Sequence, residues 1–229
     1  MAIIHPLRLW PYKTIPYLFS SSVKMRAATT YRDSIFAAMK QWSAVTDLRF
    51  MPYADYFPKY VAVRGHTPQT MTFRVGVDPY RIIKSGDLWD YRAHSSVGMT
   101  STGPTIVASA HSDVETVAHE MGHALGLKHE QTRPDRDSHV IVVRQMMSKA
   151  EYDRNYAIAG PPFIPVGPYD PHSLMHYPAS PPSFMAKDGN SASIGAKPRG
   201  IAIGGPADIW ISLHDAAAIQ QFYKGKDYL

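Results

Sequence analysis

The eleven residues from His119 to His129, reading HEMGHALGLKH, constrain this chain more than any other stretch. Their spacing lets three imidazoles and one carboxylate serve a single metal ion. An α-helix turns about 100° per residue, so His119 and His123, at i and i+4, project from one face about one turn apart. Glu120 is rotated off that axis, where its carboxylate reaches a water beside the metal rather than the metal itself, the geometry of a general base. Gly126 suits the left-handed conformation with which helices often end, so the chain can turn there and bring back His129 as a third ligand. Three protein ligands leave one position open, which marks a catalytic rather than a structural zinc site.

The helix itself is predicted without reference to the ligands. Ser112-Asp113-Val114-Glu115 has the form of a capping box with Ser112 as N-cap, and Asp113 and Glu115 suit the positive end of the helix dipole. Val114, Val117, Ala118, Met121 and Leu125 supply an apolar face at helical spacing, so a helix over 113–125 is expected. A bare HExxH can arise by chance among ordinary surface or core histidines. The added glycine and third histidine at fixed spacing make chance the weaker reading.

The stretch His129-Glu130-Gln131-Thr132-Arg133-Pro134-Asp135-Arg136-Asp137 continues the motif. With it the chain resembles the astacin metalloproteases, whose pattern HExxHxxGxxHExxRxDRD is matched at every fixed position. Ser173-Leu174-Met175-His176-Tyr177 resembles that family's Met-turn, SxMHY. Weaker likenesses extend over nearly the whole chain. Leu9-Trp10 with Ile15-Pro16-Tyr17 resembles the start of mature astacins, and Trp42 to Phe50 resembles the segment after their first long helix. Ser95-Ser96-Val97-Gly98 resembles the edge strand beside the substrate, and Leu213 to Tyr223 the closing helix.

The resemblance implies an α+β, metzincin-like catalytic domain over 1–229 with two lobes, about 1–129 and 130–229. The first would hold a twisted, mostly antiparallel-edged sheet with two long helices. The second would be irregular, with the Met-turn and the closing helix. Residue by residue, the resemblance implies that His119, His123 and His129 bind one catalytic Zn2+ and that Glu120 is the base. Tyr177 would be an additional zinc ligand that swings away when substrate binds and then stabilises the oxyanion. Met175 would form an apolar floor under the site, and Glu130 would pair with the buried amino terminus. Ser95, Ser96 and Val97 would bind substrate. The activity implied is zinc-dependent endopeptidase action on protein or peptide substrates by a monomer. The alternative from another class is a catalytically inactive, zinc-containing binding or adhesion module. Such proteins usually lose the base or a ligand, whereas Glu120 and all three histidines are present here.

Cysteine is where the chain departs from the family. Astacins usually carry two disulfides, and this sequence has no Cys. A native disulfide is typically worth about 2 to 5 kcal/mol, so packing or loops must compensate. The zinc ligands are untouched, but the compartment stays open, because a disulfide-free chain suits reducing and oxidising surroundings alike. The family is usually secreted, yet MAIIHPLRLW lacks the basic head and apolar core of a secretory signal. A chain whose signal and propeptide have been removed and a cytoplasmic form are the competing readings. No apolar run is long enough to span a membrane. Residues 1–112 hold 13 Lys and Arg against 6 Asp and Glu, and residues 113–229 hold 11 against 13. The basic residues are dispersed as singles, which argues for a solvated surface and against a nucleic-acid site. Attraction of substrates with acidic residues near the scissile bond fits this excess, as it fits the family.

The remaining pattern is coarser. Ile35, Ala38, Met39 and Trp42 predict a long helix over 29–45, while 60–63, 70–77 and 106–109 read as short strands. Between Gly65 and Ser95 the chain is longer than expected for an astacin, which predicts an inserted hairpin or rim loop. A helix near 143–152 and Pro-rich loops over 160–171 and 178–182 complete the expected second lobe.

Overall fold

The computed structural model describes residues 2–24, 28–76, 93–179, 183–187 and 211–229. In chain order these form β1 (Ile3–Ile4), β2 (Thr14–Phe19), α1 (Ser21–Lys24), α2 (Thr29–Val45), β3 (Arg49–Pro52), α3 (Tyr53–Arg64), β4 (Met71–Val75) and β5 (Thr105–Ala108). Then come α4 (Val114–Ala124), β6 (Leu127–Lys128), β7 (Val140–Val142), α5 (Lys149–Asn155), β8 (Ile164–Pro165), β9 (Phe184–Ala186) and α6 (Leu213–Tyr223). No described helix is long and apolar enough to cross a membrane.

The main sheet has the order β3-β2-β4-β5, and all three pairings are parallel. Parallel neighbours need crossover connections; α1 and α2 provide the one between β2 and β3, and α3 leads from β3 to β4 on the other side of β2. Among the described residues, the antiparallel edge expected from the sequence is a single bridge, His94 to Val107, beside β5. Helix α2 occupies the predicted span, with Tyr31, Ser34, Ile35, Ala38, Met39 and Trp42 on its buried face. The strand expected over 60–63 is instead the end of α3. Tyr56 and Tyr60, one turn apart, stack at 5.5 Å and bury one helix face with Tyr12, and this contact overrides the β-branched run around Val61. Gly65, at φ 70°, ends that helix. The strands expected over 70–77 and 106–109 are observed as β4 and β5; residue 77 and most of the expected insertion between Gly65 and Ser95 lie outside the described residues.

Helix α4 is the centre of the molecule. Its N-cap is Asp113, whose carboxylate accepts from Thr116 N at 2.9 Å, so the cap lies one residue beyond the expected Ser112. An anionic acceptor at the positive end of the helix dipole explains the preference. Behind it, α2 packs through Trp42, whose Nε1 donates to Ala118 O at 3.1 Å. A second, three-stranded sheet, β6-β1-β8, is antiparallel and fixes the segment that follows α4. The single helix expected near 143–152 is two pieces, a 3-10 turn Arg144–Met146 and then α5. Ser148 divides them by capping Glu151 N at 3.2 Å. Strands β7 and β9 pair antiparallel, and α6 closes the chain over the predicted residues, capped by Ser212.

Candidate metal centre

The three histidines of the motif converge. Nε2 of His129 lies 3.2 Å from Nε2 of His119 and 3.1 Å from Nε2 of His123. Tetrahedral zinc with Zn–N of about 2.05 Å requires nitrogens about 3.3 Å apart, which these two edges match, and all three ligand atoms lie within 4.8 Å of one another. The proton positions decide what these contacts are. Nδ1 of His119 faces Leu174 O at 2.8 Å and Nδ1 of His123 faces Leu127 O at 2.9 Å, and a carbonyl opposite Nδ1 places the ring proton there. The Nε2 lone pairs of His119 and His123 therefore both point at Nε2 of His129, an arrangement suited to a cation between the three rings. Burial lowers the pKa of all three rings, that of His123 to about 3, with the neighbouring imidazoles adding to the shift in His123 and His129. The rings are thus neutral, the form that binds a metal. His123 is buried, whereas His119 and His129 keep partial exposure and open the centre on one side.

The rigidity of this triangle comes from the end of α4. The last carbonyls of a helix have no partner within it and must find donors elsewhere. Here His123 O accepts from Gly98 N at 2.7 Å and Gly126 N at 2.8 Å, while Ala124 O accepts from Trp10 Nε1 at 3.0 Å. Leu125 O accepts from the Tyr223 hydroxyl at 3.2 Å, and Gly126 O from His5 N at 2.9 Å. Gly126 adopts φ 112°, which a side chain would resist, and the turn leads straight into β6 and His129. The sequence reading of Gly126 as the hinge to the third ligand is what the backbone does.

Glu120 is 5% exposed, and its Oε2 is buried with no hydrogen-bond partner among the described residues. Desolvation pushes its pKa up to about 8. An orphaned carboxylate oxygen on the residue that follows His119, together with three converging imidazoles, fits a site that takes a cation and a water. Glu130 is fully buried. Its Oε1 accepts from Asp170 N at 2.8 Å and lies 3.7 Å from Arg133 Nε, and its Oε2 has no partner among the described residues. Burial holds this carboxyl well above the usual range despite Arg133. The pairing with the amino terminus expected for Glu130 falls on residue 1, outside the described residues.

Met175 is fully buried under α4, with its backbone fixed by Ser173 Oγ, which accepts from Met175 N at 3.0 Å, and by Glu130 N, which donates to Met175 O at 3.0 Å. The Tyr177 ring lies 4.4 Å from that of His129, and its hydroxyl donates to Asn155 Oδ1 at 3.4 Å. Ser95, Ser96 and Val97 are half-buried and form no strand; they run between the His94 bridge and Gly98, which is bonded to the His123 carbonyl. Sequence reasoning missed the buried polar frame around these residues. Arg133 donates to Val166 O, Gly167 O and both oxygens of Asp135, and Arg136 donates to Gln131 O and Tyr156 O. Asp170, Ser173, Ser212 and Asp215 form a second buried cluster. The Arg-x-Asp-Arg-Asp spacing was the available signal for the arginines; nothing local marks Asp170 or Asp215.

Residues 90–224 match the model of the Astacin peptidase family. The chain is 31% identical over 180 residues to blastula protease 10 of Paracentrotus lividus and 30% identical over 179 residues to protein SpAN of Strongylocentrotus purpuratus, in each case over 77% of its length. It spans only about a quarter of the length of these curated relatives, 26% and 25%. Among solved structures, the fold is similar to high choriolytic enzyme 1, a hatching enzyme zinc-protease from Oryzias latipes, at a TM-score of 0.61 and 20% identity, covering 95% of this chain and 94% of that one. Myroilysin is similar at a TM-score of 0.57 and 19% identity, with 97% and 98% covered.

Proposed function

The chain belongs to the astacin family of peptidases, and from that membership we propose that it is a zinc-dependent endopeptidase hydrolysing peptide bonds within protein substrates. The observation that carries the reading is the triangle of neutral Nε2 atoms beside the unpartnered carboxylate oxygen of Glu120. His119, His123 and His129 hold the ion. When bound there, zinc supplies Lewis acidity towards the scissile carbonyl and towards water.

The chain's own groups do the rest. Glu120 accepts the proton of the attacking water and returns it to the leaving amine, a role worth about 10² to 10⁴ in rate for a positioned acid–base group. Burial alone would keep it protonated near neutrality, and a dication beside it pulls in the opposite direction, towards the base. Tyr177, against His129, would be an additional ligand and, once released, would turn its single hydroxyl proton, which it gives to Asn155 Oδ1 here, to the developing oxyanion. One such donor is typically worth about 3 to 4 kcal/mol. Ser95, Ser96 and Val97, at the edge of the main sheet, line the extended substrate. The basic excess of residues 1–112 supports a preference for acidic residues near the scissile bond. This reading takes residues 1–129 and 130–229 as the two lobes of one monomeric domain.

Peptide-library cleavage by purified protein, with a chelator and the Glu120→Gln variant as controls, tests activity and specificity together. Cleavage should vanish with chelator and return with zinc. Glu120→Gln should bind one zinc per chain yet lose activity by orders of magnitude. Full activity in that variant sinks the assignment of the base, and a profile without acidic enrichment removes the proposed preference. Zinc binding with no cleavage of any peptide would favour the inactive binding module, which the intact Glu120 opposes.

A further inference from the structure

The first imidazole ligand is anchored through a residue on a helix far along the chain. Nδ1 of His119 bonds to Leu174 O at 2.8 Å, so this carbonyl sets both the tautomer and the direction of the ring. The peptide of Leu174 is in turn gripped from its other side. Leu174 N donates to Asp215 Oδ2 at 2.8 Å, and the neighbouring Ser173 hydroxyl donates to Asp215 Oδ1 at 2.7 Å. Ser173 Oγ also accepts from Met175 N, so the carboxylate holds three successive residues of the turn below the metal.

Asp215 is fitted for this and for little else. It is fully buried in the first turn of α6, and its own N donates to the N-cap oxygen of Ser212 at 3.0 Å. That Ser212 hydroxyl donates to Asp170 Oδ2 at 2.7 Å, and Asp170 N reaches Glu130 Oε1, next to the third ligand. The start of α6 therefore ties the turn carrying Leu174 to the segment that follows His129. Asp215 touches neither the histidines nor the opening of the site.

We infer that Asp215 is a positioning residue for the metal centre: its two acceptor bonds to Ser173 and Leu174 fix the carbonyl that orients His119 towards the ion. The inference rests on the reading of His119 as a zinc ligand. Two donors converge on two carboxylate oxygens, so removing the side chain frees the Leu174 peptide to rotate and lets the His119 ring follow. Asparagine keeps the more important arm, since its Oδ1 accepts from Leu174 N while its amide faces the Ser173 oxygen.

The test compares wild type with Asp215→Ala, Asp215→Val and Asp215→Asn; Val fills the space that Ala leaves, in case the cavity alone prevents folding. Zinc affinity is read by competition with a chromophoric chelator, the visible spectrum is read after cobalt substitution, and folding is followed by circular dichroism. In the folded deletion variants zinc affinity should fall about 10- to 100-fold, the range typical of lost partners behind a metal-bound histidine. The cobalt bands should shift, and Asp215→Asn should stay within about threefold of wild type by the same rule. A purely structural role would lower the melting temperature and leave affinity and spectrum unchanged; that result in either folded deletion variant overturns the inference. So does an Asn variant as impaired as the deletions, because the effect would then belong to the charge. Failure of wild type to bind one zinc per chain refutes the zinc reading instead, so the two failures are distinguishable.

Discussion

Gly122 sits within the ligand helix between Met121 and His123, and the structure predicts that its lack of a side chain is a packing requirement. A Cβ there would lie 2.6 Å from Met175 Sδ, 3.3 Å from Trp42 Cζ2 and 3.5 Å from Met175 Cε. Comfortable contacts are about 3.5 to 4.0 Å, so the sulfur must retreat by about 1 Å. The indole cannot give way, because Trp42 is fully buried and bonded to Ala118 O. Met175 has little room either, with its backbone N and O both held. Alanine gains about 1 kcal/mol over glycine in a helix, and overpacking costs about 1 to 3 kcal/mol, so Gly122→Ala should destabilise by about 0 to 2 kcal/mol. Met175→Ala alone should cost about 2 to 5 kcal/mol through the cavity it opens. In the double variant the new methyl enters that cavity, the clash disappears and the helix gain remains. Its loss should therefore be smaller than the sum of the single losses by about 1 to 3 kcal/mol. Denaturant unfolding of the four metal-free proteins measures this cycle. Additivity within about 0.5 kcal/mol would refute the contact as the reason for glycine at 122.

Three further outcomes follow from the same frame. Gly126→Ala must hold φ 112° with its Cβ 3.2 Å from Leu9 Cδ2, so stability should fall by about 1 to 3 kcal/mol and zinc affinity with it; unchanged chelator competition would show that His129 does not depend on this turn. Arg133→Ala leaves Glu130 buried without its cation and the carbonyls of Val166 and Gly167 without a donor, a loss of about 3 to 5 kcal/mol by unfolding, and a loss below about 1 kcal/mol would contradict the grip assigned to it. In the metal-free protein the folded pKa values of His119, His123, His129 and His176 lie below 6.5, so the unfolded chain binds more protons and stability falls as the pH drops from 6.5 towards 4. Glu120, raised to about 8, opposes this by taking its proton early, so Glu120→Gln should steepen the acid loss by up to about 1.4 kcal/mol per pH unit; a shallower profile would reverse the sign argued for Glu120.

The sequence made the metal site legible because its determinants are local. Ligand spacing, the helix between the ligands and the glycine turn all lie within eleven residues, and the structure brings the three Nε2 atoms together as that spacing requires. Helix α2 was equally legible from its apolar face at helical spacing, and α6 from its likeness to the family's closing helix. The misreadings have a common origin in contacts from outside the segment. Residues 60–63 look like a strand until Tyr56, Tyr60 and Tyr12 are seen to share one cluster, and the cap of α4 moved from Ser112 to Asp113 between two chemically competent neighbours. Asp215 was illegible for a sharper reason. In sequence it is an acidic residue in the first turn of a helix, which the dipole alone would explain, and only the fold places it 2.8 Å from Leu174 N.

The same distinction explains how the chain dispenses with disulfides. Covalent ties would be visible as cysteines, but here the last residues are fastened to the start of the main sheet by backbone groups and ordinary side chains. Lys13 N donates to Asp227 O at 2.9 Å, Leu229 N donates to Thr14 Oγ1 at 3.2 Å, and the Arg49 guanidinium lies 4.1 Å over the Tyr228 ring. Two net hydrogen bonds of about 0.5 to 1.5 kcal/mol each and a cation–π contact of about 0.5 to 1 kcal/mol reach the lower part of the range for one disulfide. Tyr223 adds a tie at the end of α4, accepting from Trp10 N and donating to Leu125 O. A disulfide would restrain the unfolded chain as well, whereas these bonds stabilise only the folded one. Their worth is therefore lost together with the packing of α6 against α2. Here the fit of the closing helix, the support of Leu174 and the aim of His119 stand or fall as one unit.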